Sequence, residues 1–383
     1  MSFSPGMTPA QAAGRTWDAV VVGAGPAGGV ATTLLARRGV RTLLVNRDPL
    51  PRFKVCGGCL APEGARVLIE ACGPAVLDGS MPIQAFTLVA DGRRWSIRLD
   101  GFRSISRGRL DAAVVEAAAR AGAALCTGTR ATRDERGHLT LESPGSSATI
   151  RTRVLIAADG LAGNLLSHDP RFAWRDSFSA HVGIGAIVPG MGLPARAGAI
   201  TMLCSPLGYV GLAPLSDGFV SIAAALAPRF ISKLGGPSDT VGEIARRAGF
   251  DPAPFAAIRF RGTPPLTRRR AAVEADGVLV IGDAAGYVEP FTGEGMTWAA
   301  LSARACVPFA MAMLEDRACP GEWTRALRDL LAARRLRCRV IAAGLRSSSV
   351  LGAAMALGSR APGVGDAIAR WITGPRGLAK GAA

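Results

Sequence analysis

Lysine is almost missing from this chain. Of 45 basic residues in 383, only Lys54, Lys233 and Lys380 are lysines, and histidine occurs three times, at 138, 168 and 181. The formal charge of +16 is therefore carried by arginine, beside heavy Ala, Gly and Pro usage, the pattern a GC-rich coding bias produces. It points first to a solvated basic surface. Attraction to anionic lipid or to an acidic redox partner is the alternative. No motif for DNA or RNA accompanies the charge, which argues against nucleic acid. The three histidines fall in hairpin, loop and strand contexts and form no recognisable catalytic pairing.

Long hydrophobic runs are missing too. No stretch of about eighteen residues is free of charges and turn breakers, so no transmembrane helix is expected. Residues 1–15 have no continuous apolar segment of the secretory kind and read as a flexible tail. The eight cysteines then read as reduced thiols in a cytoplasm, and their spacing builds no disulfide framework. Cys56-Gly-Gly-Cys59 is a lone CxxC with no second pair and no histidine at finger spacing, so no metal site is expected.

What is present is a pair of apolar runs, far apart, that each break into glycines. Trp17-Asp-Ala-Val-Val-Val leads into Gly23-x-Gly25-x-x-Gly28. A strand, this turn and a helix make a dinucleotide site. The first glycine permits the tight turn, the second admits a pyrophosphate to the backbone, and the third lets helix approach strand. The helix from Pro26 then aims its free N–H groups and positive end at phosphate. The second run, Gly277-Val-Leu-Val-Ile, ends on Gly282-Asp283-Ala-Ala. A carboxylate just after a buried strand is costly unless hydroxyls or backbone donors meet it.

The pattern along the chain is α/β. Strand 17–23, helix 26–38 and strand 41–46 open a βαβ unit, and 49–62 is a Pro-, Gly- and Cys-rich loop. Alternation around Asp91-Gly92 is a hairpin signal. Arg107 opens an Ala-rich helix to about Ala121, and 153–160 is a buried strand ending on a polar turn. Residues 178–262 change to alternating strands with almost no helix except near 238–248, and a helix is expected over 293–316. We expect a tail at 1–15 and a discontinuous nucleotide-binding domain at 16–80, 105–177 and 265–320. A β-rich substrate domain at 81–104 and 178–264 and a helical C-terminal region at 321–383 complete the division.

The Gly23 fingerprint, Lys54-Val-Cys-Gly-Gly-Cys59, Arg107-Gly-Arg-Leu-Asp111, Asp159-Gly160 and Gly-Asp283-Ala-Ala-Gly-x-x-x-Pro290-x-Thr-Gly293-Glu-Gly295 occur in that order. Together they resemble the geranylgeranyl reductase and group A flavin monooxygenase superfamily. The resemblance implies a Rossmann-type FAD-binding domain of the hydroxylase-like, glutathione-reductase type, an inserted antiparallel β-sheet substrate domain and C-terminal helices. Hydroxylases carry His after Ala-Ala and Gly-Gln-Gly later; Gly286 and Gly-Glu-Gly here favour the reductase branch. Halogenases of the superfamily are disfavoured, because their Trp-x-Trp-x-Ile-Pro segment is missing and Cys-Gly-Gly replaces Gly-Glu-Ser.

Site residues follow by position. Asn46 closes the second strand where an acid would bind the adenosine ribose; it keeps an acceptor but loses the charge. Arg47 is placed on the adenine side. Arg107 matches an arginine beside the cofactor, suited to pyrophosphate by its two-pronged donor. Asp159 marks a turn that serves FAD and reduced nicotinamide, although the following Ser and Arg pattern is absent. Asp283 is assigned to a ribose or ribityl hydroxyl. After Pro290, Gly293 and Gly295 admit backbone N–H groups to the flavin ring, and a helix from Met296 directs its dipole there. Lys54 and Cys56 lie beside the flavin in the reductase branch. Cys56 and Cys59 read as pocket packing, as catalysis by one thiol, or as a dithiol exchanging electrons with FAD. Gly211 replaces an aromatic of the reductases' substrate strand and is expected to widen the pocket.

The implied activity is FAD-dependent oxidoreduction of a hydrophobic or prenyl-type substrate, by hydride transfer to or from a C=C bond. The electron donor is NADPH or another external one. The alternatives are a monooxygenase working through a flavin C4a-hydroperoxide and an electron-transfer flavoprotein at a membrane surface. A cytoplasmic location is expected, with membrane association through the basic surface as a variant of it.

Overall fold

The computed structural model describes residues 6–289, 291, 293–360 and 363. The first element is α1 (Pro9–Ala13), closed by a capping box in which Thr8 and Gln11 satisfy each other's backbone N–H groups. It lies in the stretch expected as a flexible tail, and buried Ala12 fixes it to the core. The βαβ start follows as β1 (Trp17–Val22), α2 (Pro26–Ala36) and β2 (Thr42–Asn46). Both strands are apolar nearly throughout because both their faces are covered.

Next come β3 (Cys59–Leu60), α3 (Pro62–Cys72), β4 (Met81–Ala90) and β5 (Arg93–Ser104). Asp91 and Gly92 both take positive φ (47° and 71°), the requirement of the two-residue hairpin turn the sequence predicts. Helix α4 (Arg107–Arg120) leads to β6 (Ala124–Thr127), to the meander β7 (Arg130–Arg133), β8 (Leu139–Ser143) and β9 (Ser146–Ile150), and to β10 (Thr152–Ala157). Beyond β11 (Trp174–Asp176) lie β12 (Val182–Pro189), β13 (Ala199–Ser205), β14 (Gly208–Pro214) and β15 (Phe219–Leu226). Helices α5 (Pro228–Leu234), α6 (Pro237–Arg247) and α7 (Ala253–Ala256) precede β16 (Arg261–Pro265), β17 (Arg268–Arg270), β18 (Glu274–Ala275), β19 (Val278–Val280) and β20 (Gly286–Tyr287). The chain then runs through α8 (Gly295–Leu314), α9 (Glu322–Leu345) and α10 (Ser348–Arg360).

One sheet has the order β18-β19-β10-β1-β2-β6 and is parallel except at the β18 edge, with α2 packed on α4 and α8. The second runs β16-β12-β15-β14-β13-β4-β5-β3 and is antiparallel apart from the β13–β4 pair. That parallel pair joins two segments distant in sequence, so no hairpin dictates its direction. Cys59–Leu60 falls in the segment expected to belong to nucleotide binding, yet it forms the edge strand of this second sheet. Strands β13 and β14 are buried along their whole length: one face of the sheet looks into a cavity, the other rests on α6.

Helix α8 has 20 residues and is apolar enough to cross a membrane by composition, but it is packed against α2 and α3. Trp323 locks α9 onto this core: it is buried, tilted against Phe309 (5.5 Å), and its Nε1–H donates to the Val280 carbonyl (3.0 Å). Trp323→Ala should lower stability by about 3–5 kcal/mol and Trp323→Phe by about 1–2 kcal/mol, read by urea denaturation.

Candidate active site

The three early glycines do different jobs. At Gly23 (φ +110°) a Cβ would stand 2.2 Å from the Ala158 carbonyl oxygen, and at Gly28 it would stand 1.8 Å from the Gly23 carbonyl oxygen. These two let α2, β1 and β10 touch backbone to backbone. At Gly25 the nearest atom is the Arg107 guanidinium, 3.1 Å from the same position, so this glycine opens the turn toward an arginine. No side chain caps α2 or α8, which leaves their first-turn N–H groups available to a ligand.

Both helix starts face one cavity of about 1080 Å³. Its walls include Gly23, Gly25, Asn46, Arg47, Lys54, Cys56, Arg107, Asp159, Asp283, Gly293, Gly295 and Met296, so almost every residue singled out from sequence converges there. Two do not. Gly28 serves packing only, and Gly282 (φ +59°) lets the late turn sit on α2, with Ala27 Cβ 2.9 Å from where its own Cβ would be. Pro290 lies outside the described residues.

Asn46 is engaged differently from the sequence expectation. Its Oδ1 accepts from the Ala24 N–H (3.2 Å) and from Arg52 (3.0 Å), and its Nδ2 donates to the Asp48 carbonyl. Both acceptor directions are used, so Asn46 braces the glycine turn and leaves none for a ribose hydroxyl. Arg47 is exposed at the rim and pairs with Asp48 (3.1 Å).

Arg107 is mostly buried and forms a two-pronged pair with the fully buried Asp111 (2.8 and 3.0 Å), which also receives Arg52 (3.3 Å). Burial works against the Arg107 charge, but Asp111 outweighs it and the guanidinium stays protonated. Lys54 is held against Gly160, its Nζ 3.3 Å from that residue's Cβ position. Burial, reinforced by Arg107 and Arg52, pulls its ammonium below the ordinary lysine range.

Facing these cations are two carboxylates. Asp159 Oδ2 accepts from the Leu165 N–H (2.9 Å), whereas its Oδ1 is buried with no partner among the described residues. Asp283 lines the cavity, and its carboxylate takes no hydrogen bond from the described residues, although its backbone carbonyl accepts from the Gly286 N–H. Burial pushes both carboxyls up; Arg107, Lys54 and Arg335 pull Asp283 back in part. A lone carboxylate aimed into a cavity, uncapped helix starts and a glycine turn under Arg107 fit a dinucleotide's hydroxyls and phosphates.

Beyond this groove the cavity becomes apolar, walled by Phe86, Ile200, Met202, Tyr209, Leu266 and Phe291. Phe291 meets Phe86 and Tyr209 edge-on, at 5.6 and 5.0 Å between ring centres. The space opened by Gly211 is taken up by Met202, whose methyl lies 3.2 Å from the missing Cβ, so that glycine does not widen the pocket. Gly293 (φ +71°) stands against Cys59, and Gly295 against the Tyr287 hydroxyl. Helix α8 begins at Gly295, one residue before the expected Met296.

Arg52 and Tyr287 are not singled out by the sequence, whereas Tyr209 lies on the 207–214 strand that the resemblance sets over the substrate. Arg52 had a signal, an arginine in the same loop as Lys54. The tyrosines had a plainer one: the chain contains only two, and both line the cavity. Helix α9 packs behind this wall, with Ile341 and Leu345 against the cluster that contains Tyr209 and Phe291. Arg335 donates to the Gly286 carbonyl (3.3 Å), Arg334 pairs with Glu63 and Glu294, and Arg346 meets Glu289 (3.3 Å), itself 3.2 Å from His181.

Comparison with known proteins agrees with this geometry. Residues 16–168 match the FAD binding domain family. This chain is an FAD-dependent oxidoreductase. Its curated relatives include geranylgeranyl reductases. It is 29% identical to geranylgeranyl diphosphate reductase of Rhodobacter capsulatus, over 78% of this chain and 76% of the relative. It is 28% identical to menaquinone reductase of Mycolicibacterium smegmatis, over 73% of each. A flavoprotein/dehydrogenase from Cytophaga hutchinsonii shares the fold, with TM-score 0.80 at 19% identity over 93% of this chain and 92% of that one.

Two measurements probe the oxidoreductase's carboxylate. Losing one hydrogen bond to a charged group costs about 1.5–3 kcal/mol, so Asp283→Ala should weaken FAD binding about 10- to 100-fold, read by flavin titration. In flavin-stripped protein the raised Asp283 carboxyl means that the folded state holds this proton more tightly than the unfolded one. Acidification therefore relieves a cost of folding. Asp283→Asn should be more stable than the parent at neutral pH, and its advantage in thermal midpoint should shrink as pH falls toward the ordinary carboxyl value of 3.8. An advantage that stays constant with pH would remove the carboxylate from this account.

Proposed function

We propose that the oxidoreductase reduces a C=C bond in a hydrophobic, prenyl-type substrate, with electrons from an external donor such as NADPH. The observation that carries this reading is the apolar chamber continuous with the dinucleotide groove, walled by Phe86, Met202, Tyr209 and Phe291. The names of relatives, geranylgeranyl diphosphate reductase and menaquinone reductase among them, support the same substrate class.

Arg107, Asp283, the Gly25 turn and the starts of α2 and α8 are the groups that would hold FAD. When bound it supplies the two-electron redox chemistry. The protein's part is orientation, exclusion of water and the proton. Saturating a C=C bond adds two electrons and two protons, so a group in the chamber must keep a proton until it is needed. Burial pushes the Cys56 thiol up and the Tyr209 and Tyr287 hydroxyls well up, so all three stay protonated. Such groups are acids rather than nucleophiles. The same argument counts against dithiol exchange with FAD, because burial pushes the Cys59 thiol up as well.

Cys56 is the best placed of the three. The Ser221 hydroxyl donates to its carbonyl (2.9 Å), and the Gly58 N–H points at its sulfur (3.4 Å), which pins the loop to β15. Lys54, two residues earlier, ties the same loop to the Asp159-Gly160 turn by its approach to Gly160. With reductant and geranylgeranyl diphosphate under anaerobic conditions, mass spectrometry should show product heavier by two hydrogens. Product heavier by one oxygen, formed only in air, would overturn the reading in favour of a monooxygenase. Cys56→Ala should cut turnover about 100-fold at unchanged flavin content, and Cys56→Ser should restore part of it.

A further inference from the structure

One face of the molecule is built against the usual economy of surfaces. The Ala180 N–H donates to the Ser177 carbonyl (3.0 Å) and closes a tight turn whose tip, Phe178, is wholly exposed. The turn is fixed at both ends, by the Ser177 N–H to the Thr267 carbonyl (2.9 Å) and the Leu266 N–H to the His181 carbonyl (2.8 Å). A rigid frame thus holds an aromatic ring out in water, against the hydrophobic effect.

Beside it, Arg175 on β11 stands directly opposite Arg269 on β17. Opposite residues of an antiparallel pair share a face, and like charges there repel. Both arginines are exposed, and neither has a carboxylate partner among the described residues. On the other side of the turn, Arg346 reaches the Ser179 hydroxyl (3.4 Å), joining Phe178 to the end of α9. There α9 and α10 meet in an elbow bent by 104°, with Val350 against Gly344. Leu336, Val340, Val350 and Leu357 are exposed along the two helices, with Arg339 exposed among them.

We propose that this face, made of the 177–180 turn, the Arg175/Arg269 pair and the α9–α10 elbow, docks the protein on an anionic lipid bilayer. A helix α9 that interleaves Arg339 with Leu336 and Val340, continued by the exposed Val350 and Leu357 of α10 and next to a projecting aromatic, matches an interfacial lipid-binding surface. Arginine meets the headgroups while the apolar side chains enter the acyl boundary. Charge complementarity alone would suit an acidic protein equally. The exposed leucine, valine and phenylalanine side chains decide for lipid, and the overall charge of +16 acts in the same direction. The face stands on its own geometry, whatever reaction the cavity performs.

The test is co-sedimentation of the FAD-loaded protein with vesicles of equimolar phosphatidylglycerol and phosphatidylcholine, beside vesicles of phosphatidylcholine alone. We expect binding to the anionic vesicles, weakened by added salt. Phe178→Ser and the double variant Arg175→Gln/Arg269→Gln should each lower the bound fraction about tenfold, with circular dichroism and flavin content unchanged. Arg229→Gln/Lys233→Gln removes the same charge from exposed positions on α5 and should leave binding near the parent's. Equal loss in that control would make binding a property of net charge and overturn the proposal. So would the absence of vesicle binding, equal binding to both vesicle types, or variants that bind like the parent.

Discussion

Everything in this protein's site depends on a backbone contact that no side chain could share. The Gly28 Cα hydrogens lie over the Gly23 carbonyl, and Gly23 lies over Ala158, so α2, β1 and β10 approach as closely as backbones can. The late turn joins the same junction through Gly282, which rests on Ala27. Three distant segments meet at one point, and a dinucleotide groove is what remains between them. Dispersion forces and close packing set that distance, and the distance sets the chemistry. If the late turn stood off by the width of a methyl group, Asp283 would no longer face Arg107 across the groove.

The charges then sort themselves by what covers them. Asp111 is sealed between Arg52 and Arg107, which keeps both arginines charged and oriented without exposing a carboxylate to the ligand. Lys54 has no such partner and is pulled toward neutrality by burial and by those same arginines. Asp159 and Asp283 are pushed the other way. The groove therefore holds fixed positive charge at the glycine turn and polar groups short of partners around it. That pattern favours an anionic ligand rich in hydroxyls. Past the groove the ionisable groups are thiol and phenol, all held neutral, and the walls turn aromatic.

Much of this was legible in the sequence because glycine turns and strand-end carboxylates are local signals. Gly23, Gly25 and Asp283 stand out from local pattern, since turn geometry and the cost of a buried carboxylate act within a few residues, and all three line the cavity. Arg107 came from resemblance, and the structure adds its reason, the contact at Gly25. Asn46 was read by analogy with an acid at a strand end. Its real partners, Ala24 and Arg52, are set by tertiary contact that the strand pattern does not encode. Gly211 failed similarly: a missing side chain reads as space, but Met202 is long and pliable enough to fill it. Helix α1 was missed because five residues give too little period to detect; its capping box was the available sign.

The C-terminal helices connect the two halves of the argument. Along one side of α9, Arg334 and Arg335 reach Glu63, Glu294 and the Gly286 carbonyl, and Arg346 holds Glu289 and the Ser179 hydroxyl. Along its other side, Leu336, Arg339 and Val340 face outward. A helix anchored by ion pairs to the buried Glu289 and Glu294 on one face can present apolar side chains on the other without collapsing onto its own core. The outward face is therefore held in place by contacts made on the inner one. Leu266 makes the same link from the sheet side: its backbone fixes the Phe178 turn while its side chain lines the chamber. The apolar chamber and the outward face of α9 and α10 are thus joined through one packed cluster, the arrangement a protein needs if a hydrophobic substrate is to pass from a lipid phase without crossing water.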